Sequence, residues 1–159
     1  MALAWLIGEN NPYSDDPYFA LYPRPTTASG YRLCAKIMGL REATYLDVFE
    51  RRNLLSQPRW SVRLARRSAG RILLDAGEAP LILCGAKVAA AFSLPTKPFE
   101  VHELVDGGCF HGNPRKVVVI PHPSGLSRTW NESGAIARAR AAIGAAVPAL
   151  ADKLGEADV

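Results

Sequence analysis

The chain has 159 residues, 48% of them hydrophobic and 21% charged, with a formal net charge of +4 and a pI near 9.1. These figures describe one ordinary soluble globule with a full core, and no apolar run reaches the length a bilayer requires. The mild basic balance leans toward an anionic partner and says little more.

Residues 2–7 read as a first, central strand. The apolar start lacks the basic flank of a signal peptide and runs straight into polar residues. Residues 8–27 form a long loop rich in proline, aspartate and tyrosine, a length that in compact proteins usually carries function. Residues 28–39 predict a helix with Ser29 near its start, Leu33, Ile37 and Met38 facing inward, and Gly39 as the stop. Residues 44–49, TYLDVF, read as strand two, and residues 50–58 as a second loop holding Asn53. Residues 59–76 predict a helix, with Arg59, Arg63, Arg67 and Arg71 recurring at i+4 beside Trp60, Leu64, Ile72 and Leu73.

Residues 81–84 read as strand three and 85–92 as a short helix. Residues 93–115 look irregular, with a candidate strand at 100–105. Residues 117–120 form strand four, and Asn131 is placed to cap an alanine-rich last helix that Pro148 ends. The last few residues look frayed. Alternating strands and helices predict an α/β fold, a three-layer α/β/α arrangement around a mostly parallel four-stranded central sheet, in a single domain over residues 1–159. The three cysteines, Cys34, Cys84 and Cys109, include no CxxC pair, so reduced thiols and a cytosolic protein are expected.

Two stretches carry chemistry. Val117 to Asn131, VVVIPHPSGLSRTWN, starts as a buried strand and then breaks at Pro121 into a rigid loop. That loop displays a histidine, two hydroxyls, an arginine and a leucine that polar loops do not usually show. Near the other end, Gly8-Glu9-Asn10-Asn11-Pro12-Tyr13 follows strand one as a tight polar loop. Two strand-end loops of this kind suggest one shared site at the carboxyl edge of the sheet.

HPSGLS resembles the second signature of the uracil-DNA glycosylase superfamily, written HPSPLS or NPSGLS in its branches. GENNPY resembles the first, written GQDPY or GINPG, with one residue more between glycine and proline. The two motifs cover about a fifth of the chain, and the strand–helix order between them extends the resemblance over most of it. The resemblance implies a monofunctional DNA glycosylase that flips uracil or a modified pyrimidine out of DNA and hydrolyses its N-glycosidic bond. No lysine stands in either motif to form a Schiff base, so an abasic product without strand cleavage is implied. Neither cofactor nor metal is implied; three cysteines cannot hold the four-cysteine iron–sulfur cluster of some branches. His102, His111 and Cys109 make no zinc pattern, and Ser124 lacks a nucleophile elbow.

The resemblance assigns His122 to the charge that develops on the departing base, which an imidazole N–H can stabilise. Asn11, or alternatively Asn10, is the candidate for holding the attacking water; Asn11 is favoured because it directly precedes Pro12. No aspartate stands at either position, and asparagine takes a proton poorly. The candidates for the base pocket are Glu9, Tyr13, Phe19, Tyr22, Asn53 and Asp47. Tyr13 resembles the tyrosine of GQDPY, and Phe19 or Tyr22 would stack on the flipped base. Asn53 is favoured over Asp47 as the base reader, because an amide matches uracil at O4 and N3 together. Leu126 resembles the wedge that fills the space left by a flipped base. Ser124, Gly125, Ser127 and Arg128 are the phosphate contacts.

Each candidate also has a plain structural reading: a loop histidine bonded to backbone, an Asn-Asn-Pro turn, a buried leucine anchor, a solvated arginine face. The partner expected is DNA with uracil or a modified pyrimidine, bound by a monomer in the cytoplasm, associated with the nucleoid and not with a membrane. Two alternatives stay open. One is a weak or inactive member that only binds DNA, favoured by the missing aspartate. The other is an N-glycosidic hydrolase acting on free modified nucleosides or nucleotides.

Overall fold

The computed structural model describes residues 2–11 and 14–158. Four strands run parallel: β1 (Ala4–Asn10), β2 (Phe49–Leu55), β3 (Leu81–Cys84) and β5 (Arg115–Ile120). A further strand, β4 (Val101–Leu104), pairs antiparallel with β5, giving the order β2-β1-β3-β5-β4. The sheet therefore has five strands where the sequence predicts four. The added edge is the candidate strand at 100–105; its alternating half-buried and exposed residues give a weak apolar signal.

The central strands are buried on both faces, as parallel strands under helical layers must be. Ala4, Leu6, Ile82, Cys84, Val118 and Ile120 face one layer, and Ile7, Leu81, Leu83, Val117 and Val119 face the other. The first layer holds α1 (Ser29–Tyr31), which continues as a π-helix over Arg32–Ile37, then α2 (Glu42–Val48) and α5 (Ala135–Ala146). The second holds α3 (Val62–Asp75) and α4 (Ala86–Ala91). The Ser61 hydroxyl caps α3 by accepting from the Leu64 N–H, and Ala65, Ala69 and Ile72 seat the helix on the sheet. No helix among the described residues is long and apolar enough to cross a membrane.

The largest correction concerns residues 44–58. TYLDVF is helix α2 running into the first residue of β2, and the expected second loop is the strand itself. Tyr45 and Val48, three residues apart, are buried together, while Asp47 points to solvent. Glu42 in the first turn suits the positive end of the helix dipole. The charged run Glu50-Arg51-Arg52 reads as a loop but forms an edge strand, where such residues are tolerated and discourage pairing with other chains.

Two smaller corrections lie near the carboxyl terminus. Asn131 closes the short 3-10 turn Arg128–Asn131 and does not cap α5, which starts after Gly134 in a left-handed conformation (φ 79°). The tail is not frayed up to residue 158. Gly155 N–H donates to Met38 O and Ala157 N–H to Gly39 O, while Arg140 Nη1 lies 2.6 Å from Asp158 Oδ2. This strap holds the end of the π-helix against α5.

Arg115 is the one buried charged side chain among the described residues, at 1% exposure. It donates to both carboxylate oxygens of Asp106 at 2.8 Å and to Leu73 O at 2.6 Å. One side chain thus ties β5 and the loop after β4 to the end of α3. Arg115→Met should strand the Asp106 carboxylate and cost about 3–5 kcal/mol. Urea unfolding would measure the loss, and a change under about 1 kcal/mol would show that the pair holds nothing together.

Candidate active site at the carboxyl edge of the sheet

The chain passes from β1 to β2 on one side and returns to β3 on the other. The carboxyl ends of β1 and β3 therefore open a crevice, the usual ligand position in open α/β sheets. Glu9 lies at the end of β1, Gly85 directly after β3, and His122 two residues after β5. Gly85 has φ 109° and ψ 162°, a region nearly closed to other residues. A Cβ built there would sit 3.4 Å from Glu9 Oε2 and 3.4 Å from His122 Cβ. Those are ordinary contacts, so backbone conformation rather than space requires the glycine. Its amide also donates to Ile120 O at 2.8 Å, fixing the turn against the end of β5.

The His122 loop is braced from three sides. Trp130 Nε1 donates to His122 O at 2.8 Å, Arg32 Nε donates to Pro123 O at 3.0 Å, and the Ser124 N–H donates to His122 Nδ1 at 3.1 Å. The last bond makes Nδ1 an acceptor, so the neutral ring carries its hydrogen on Nε2. Nε2 faces Glu9 Oε2 at 3.9 Å, with the two side chains 33% and 21% exposed. Burial lowers the affinity of His122 for a second proton; Glu9 acts in the opposite sense, and Lys87 adds to the lowering. The site therefore offers a neutral imidazole with an Nε2–H donor beside a carboxylate.

The first motif divides its work. Asn10 Nδ2 donates to Gln57 O and Pro58 O at 3.2 and 2.9 Å, tying β1 to the turn before α3. Asn11 Nδ2 donates to Phe19 O at 3.1 Å, tying the strand end to the long loop. Tyr13 lies outside the described residues. Asn53 stands opposite Gly8 in the pairing of β1 and β2, and a Cβ on Gly8 would fall 2.5 Å from Asn53 Oδ1. The glycine thus leaves room for the amide against β1, on the side of β1 away from β3. Asp47 is not brought to this place. It is exposed on α2, which ends where β2 begins, so it lies at the amino edge of the sheet, a strand's length away.

Phe19 and Tyr22 sit with Tyr18 in one cluster, their ring centroids 5.2 to 5.4 Å apart. The Arg51 guanidinium lies 5.5 Å from both tyrosine rings and donates to Ala20 O at 2.9 Å, fastening the loop to β2. In the second motif Leu126 is 93% exposed at the loop tip, which removes the buried-anchor reading. Ser127 N–H donates to Ser124 O to close the turn, both serines are half-buried, and Gly125 and Arg128 are exposed.

Sequence reasoning missed Gly85, Lys87, Arg32 and Trp130. For Gly85 a signal existed, a glycine at a strand-to-helix turn; the braces belong to tertiary packing. Cys34 and Cys84 are buried, which pushes both thiols up to about 12 and leaves them unreactive at neutral pH. Among the described residues no group of three or more side chains could hold a metal ion. No protein-family model and no curated protein matches this chain.

Because burial lowers the folded-state proton affinity of His122, the unfolded chain takes up this proton first. The group therefore costs stability as pH falls below the ordinary imidazole value near 6.5, and the cost vanishes above it. Glu9→Gln should move the His122 titration to still lower pH, and Lys87→Met should move it up. NMR titration of the imidazole carbons checks both; a midpoint unmoved by Glu9→Gln would show that the two groups do not interact.

Proposed function

We propose that this protein is a monofunctional DNA glycosylase of the uracil-DNA glycosylase kind, releasing uracil or a related pyrimidine from DNA. The observation that carries the reading is the meeting of Glu9 and His122 over Gly85, with both signature-like motifs at the same sheet edge. In this reading a water oxygen bonds to the sugar C1′ while the C1′–N bond breaks and its electron pair passes to the base. The neutral imidazole donates its Nε2 hydrogen bond to the oxygen where that charge gathers. A neutral donor suits this better than an imidazolium, which would give its proton up. Glu9 supplies the carboxylate that positions 10 and 11 lack, accepts the water's proton and favours positive charge on the sugar. In this reading Asn11 orients the water, Asn53 reads the base, and Phe19 or Tyr22 stacks on it.

The exposed Leu126 is the wedge, with Ser124, Gly125, Ser127 and Arg128 against phosphate. Such a protein would act on DNA in the nucleoid. A second reading, a member that binds DNA without cutting the glycosidic bond, is favoured by one observation: the Asn11 amide is already engaged by Phe19 O.

Incubation with uracil-containing single and double strands, followed by alkali, separates the readings. Strand breaks only after alkali support the glycosylase. Binding without breaks supports the second reading, and base release from free nucleosides alone would move the substrate away from DNA. His122→Ala should lower turnover by about 10²–10³-fold, and Glu9→Gln and Asn11→Ala by about 10²-fold each. Asn10→Ala should cost much less in chemistry, because both its amide bonds tie backbone together.

Leu126→Ala should harm excision from paired duplex more than from single strands. Only the duplex must be opened and held, at a cost of a few kcal/mol. Equal losses on the two substrates would remove the leucine from base flipping.

A further inference from the structure

The arginines of α3 are not used by the site just described. Between residues 51 and 71 stand seven arginines and no acidic residue. Six of them are exposed; Arg52 pairs with Glu50, and for Arg59, Arg63, Arg66, Arg67 and Arg71 no carboxylate among the described residues lies within ion-pair distance. A helix face that is merely solvated mixes charges of both signs. Like charges at i and i+4, as in Arg63-Arg67-Arg71, repel one another and weaken the helix. Gly70 is a second, independent sign. It lies inside the helix, exposed, with nothing within 4 Å of the place its Cβ would take. Glycine weakens a helix interior relative to alanine, and no internal packing here calls for it. It sits beside Arg66 and Arg67 at i−4 and i−3 and leaves a bare patch on which a ligand backbone can come close.

The ridge joins the candidate site. Asn10 fastens the turn at Gln57 and Pro58, immediately before Arg59. Lys87, whose charge reaches His122, lies 5.6 Å over the Trp60 ring beside Arg66. Arg67 and Arg71 line an open groove of about 700 Å³ together with Leu54, Leu55, Leu64 and Asp75. From Arg63 to Arg71 the helix rises about 12 Å, enough to follow several phosphates of one strand.

We propose that this face of α3 is a second DNA-binding surface, holding the phosphate backbone that flanks the flipped base. The inference rests on the reading that DNA is the substrate. It commits to nucleic-acid backbone as the occupant because the charge from Arg59 to Arg71 is of one sign, repeats along the helix and lies beside a bare glycine.

The test compares the wild-type protein with Arg63→Gln/Arg67→Gln/Arg71→Gln and with the matching triple lysine variant. Binding is measured against salt with oligonucleotides of about 6 and about 20 nucleotides, the shorter covering only the crevice. The wild type should bind the longer strand more tightly and with a steeper salt dependence. The glutamine variant should lose that difference, its slope of log K against log salt falling by about 2–3. The lysine variant should keep most of it, and base release at saturating DNA should be unchanged in both. A glutamine variant that folds, shown by an unchanged thermal transition, and keeps the wild-type slope on the long strand overturns the proposal. A stronger arginine-dependent preference for RNA of the same sequence overturns the choice of DNA. Base release with an unaltered slope defeats the α3 surface alone. Arginine-dependent binding without abasic product defeats the glycosylase reading alone.

Discussion

The candidate site depends on the register of the three inner parallel strands: β3 and β5 end level, Cys84 opposite Ile120, and β1 runs on beside them to Asn10. β1, β3 and β5 are buried on both faces, so each is held in register by two apolar layers and their ends cannot drift apart. Glu9 near the end of β1, Gly85 directly after β3 and His122 two residues after β5 are therefore positioned by the whole core. Gly85 is where this constraint is tightest. Its backbone takes a conformation that a side chain would resist at a cost of about 1–3 kcal/mol. The turn it makes brings α4, and with it Lys87, to the rim where Glu9 and His122 meet.

Electrostatics at that edge follows from partial burial. Removing His122 from water disfavours its charged form, and the Lys87 charge acts in the same direction; the nearby Glu9 carboxylate offsets part of both. The Ser124 amide at Nδ1 sets the tautomer, and the bonds from Trp130 and Arg32 hold the loop backbone that carries the ring. The result is a fixed hydrogen-bond donor that needs no proton uptake to work at neutral pH. Among the described residues, the longest run of unpaired cationic charge lies elsewhere, on the exposed face of α3.

Most of the architecture was legible in the sequence because inner parallel strands are nearly pure apolar runs. LILC and VVVI could be little else, and the helix of residues 59–76 announced itself by its arginine spacing. What escaped was settled by tertiary context. TYLDVF has the β-branched and aromatic content of a strand, yet it packs as a helix because Tyr45 and Val48 bury one side while Asp47 stays wet. FERRNLL looks too charged for a strand and forms one only because it lies at the edge of the sheet. That exchange also separates Asn53 from Asp47: it sets Asn53 against Gly8 toward the carboxyl end of β2 and leaves Asp47 before the strand begins, at the opposite edge. At the site, motif residues were legible, but their division of labour was not. Neither the backbone tie of Asn10 nor the approach of Glu9 to His122 leaves a mark in the sequence.

The central claim is that Glu9, Gly85 and His122 surround a flipped base. Its most direct test is NMR of the protein with two short DNA strands that differ only in carrying uracil or thymine at one position, using His122→Ala where turnover must be slowed. The uracil strand should shift the Gly85 amide and the Glu9 side-chain signals, and in the wild type the His122 ring, well beyond the changes produced by thymine. Identical shifts with the two strands, or shifts confined to the arginines of α3, would contradict the account and leave a protein that binds DNA without reading a base.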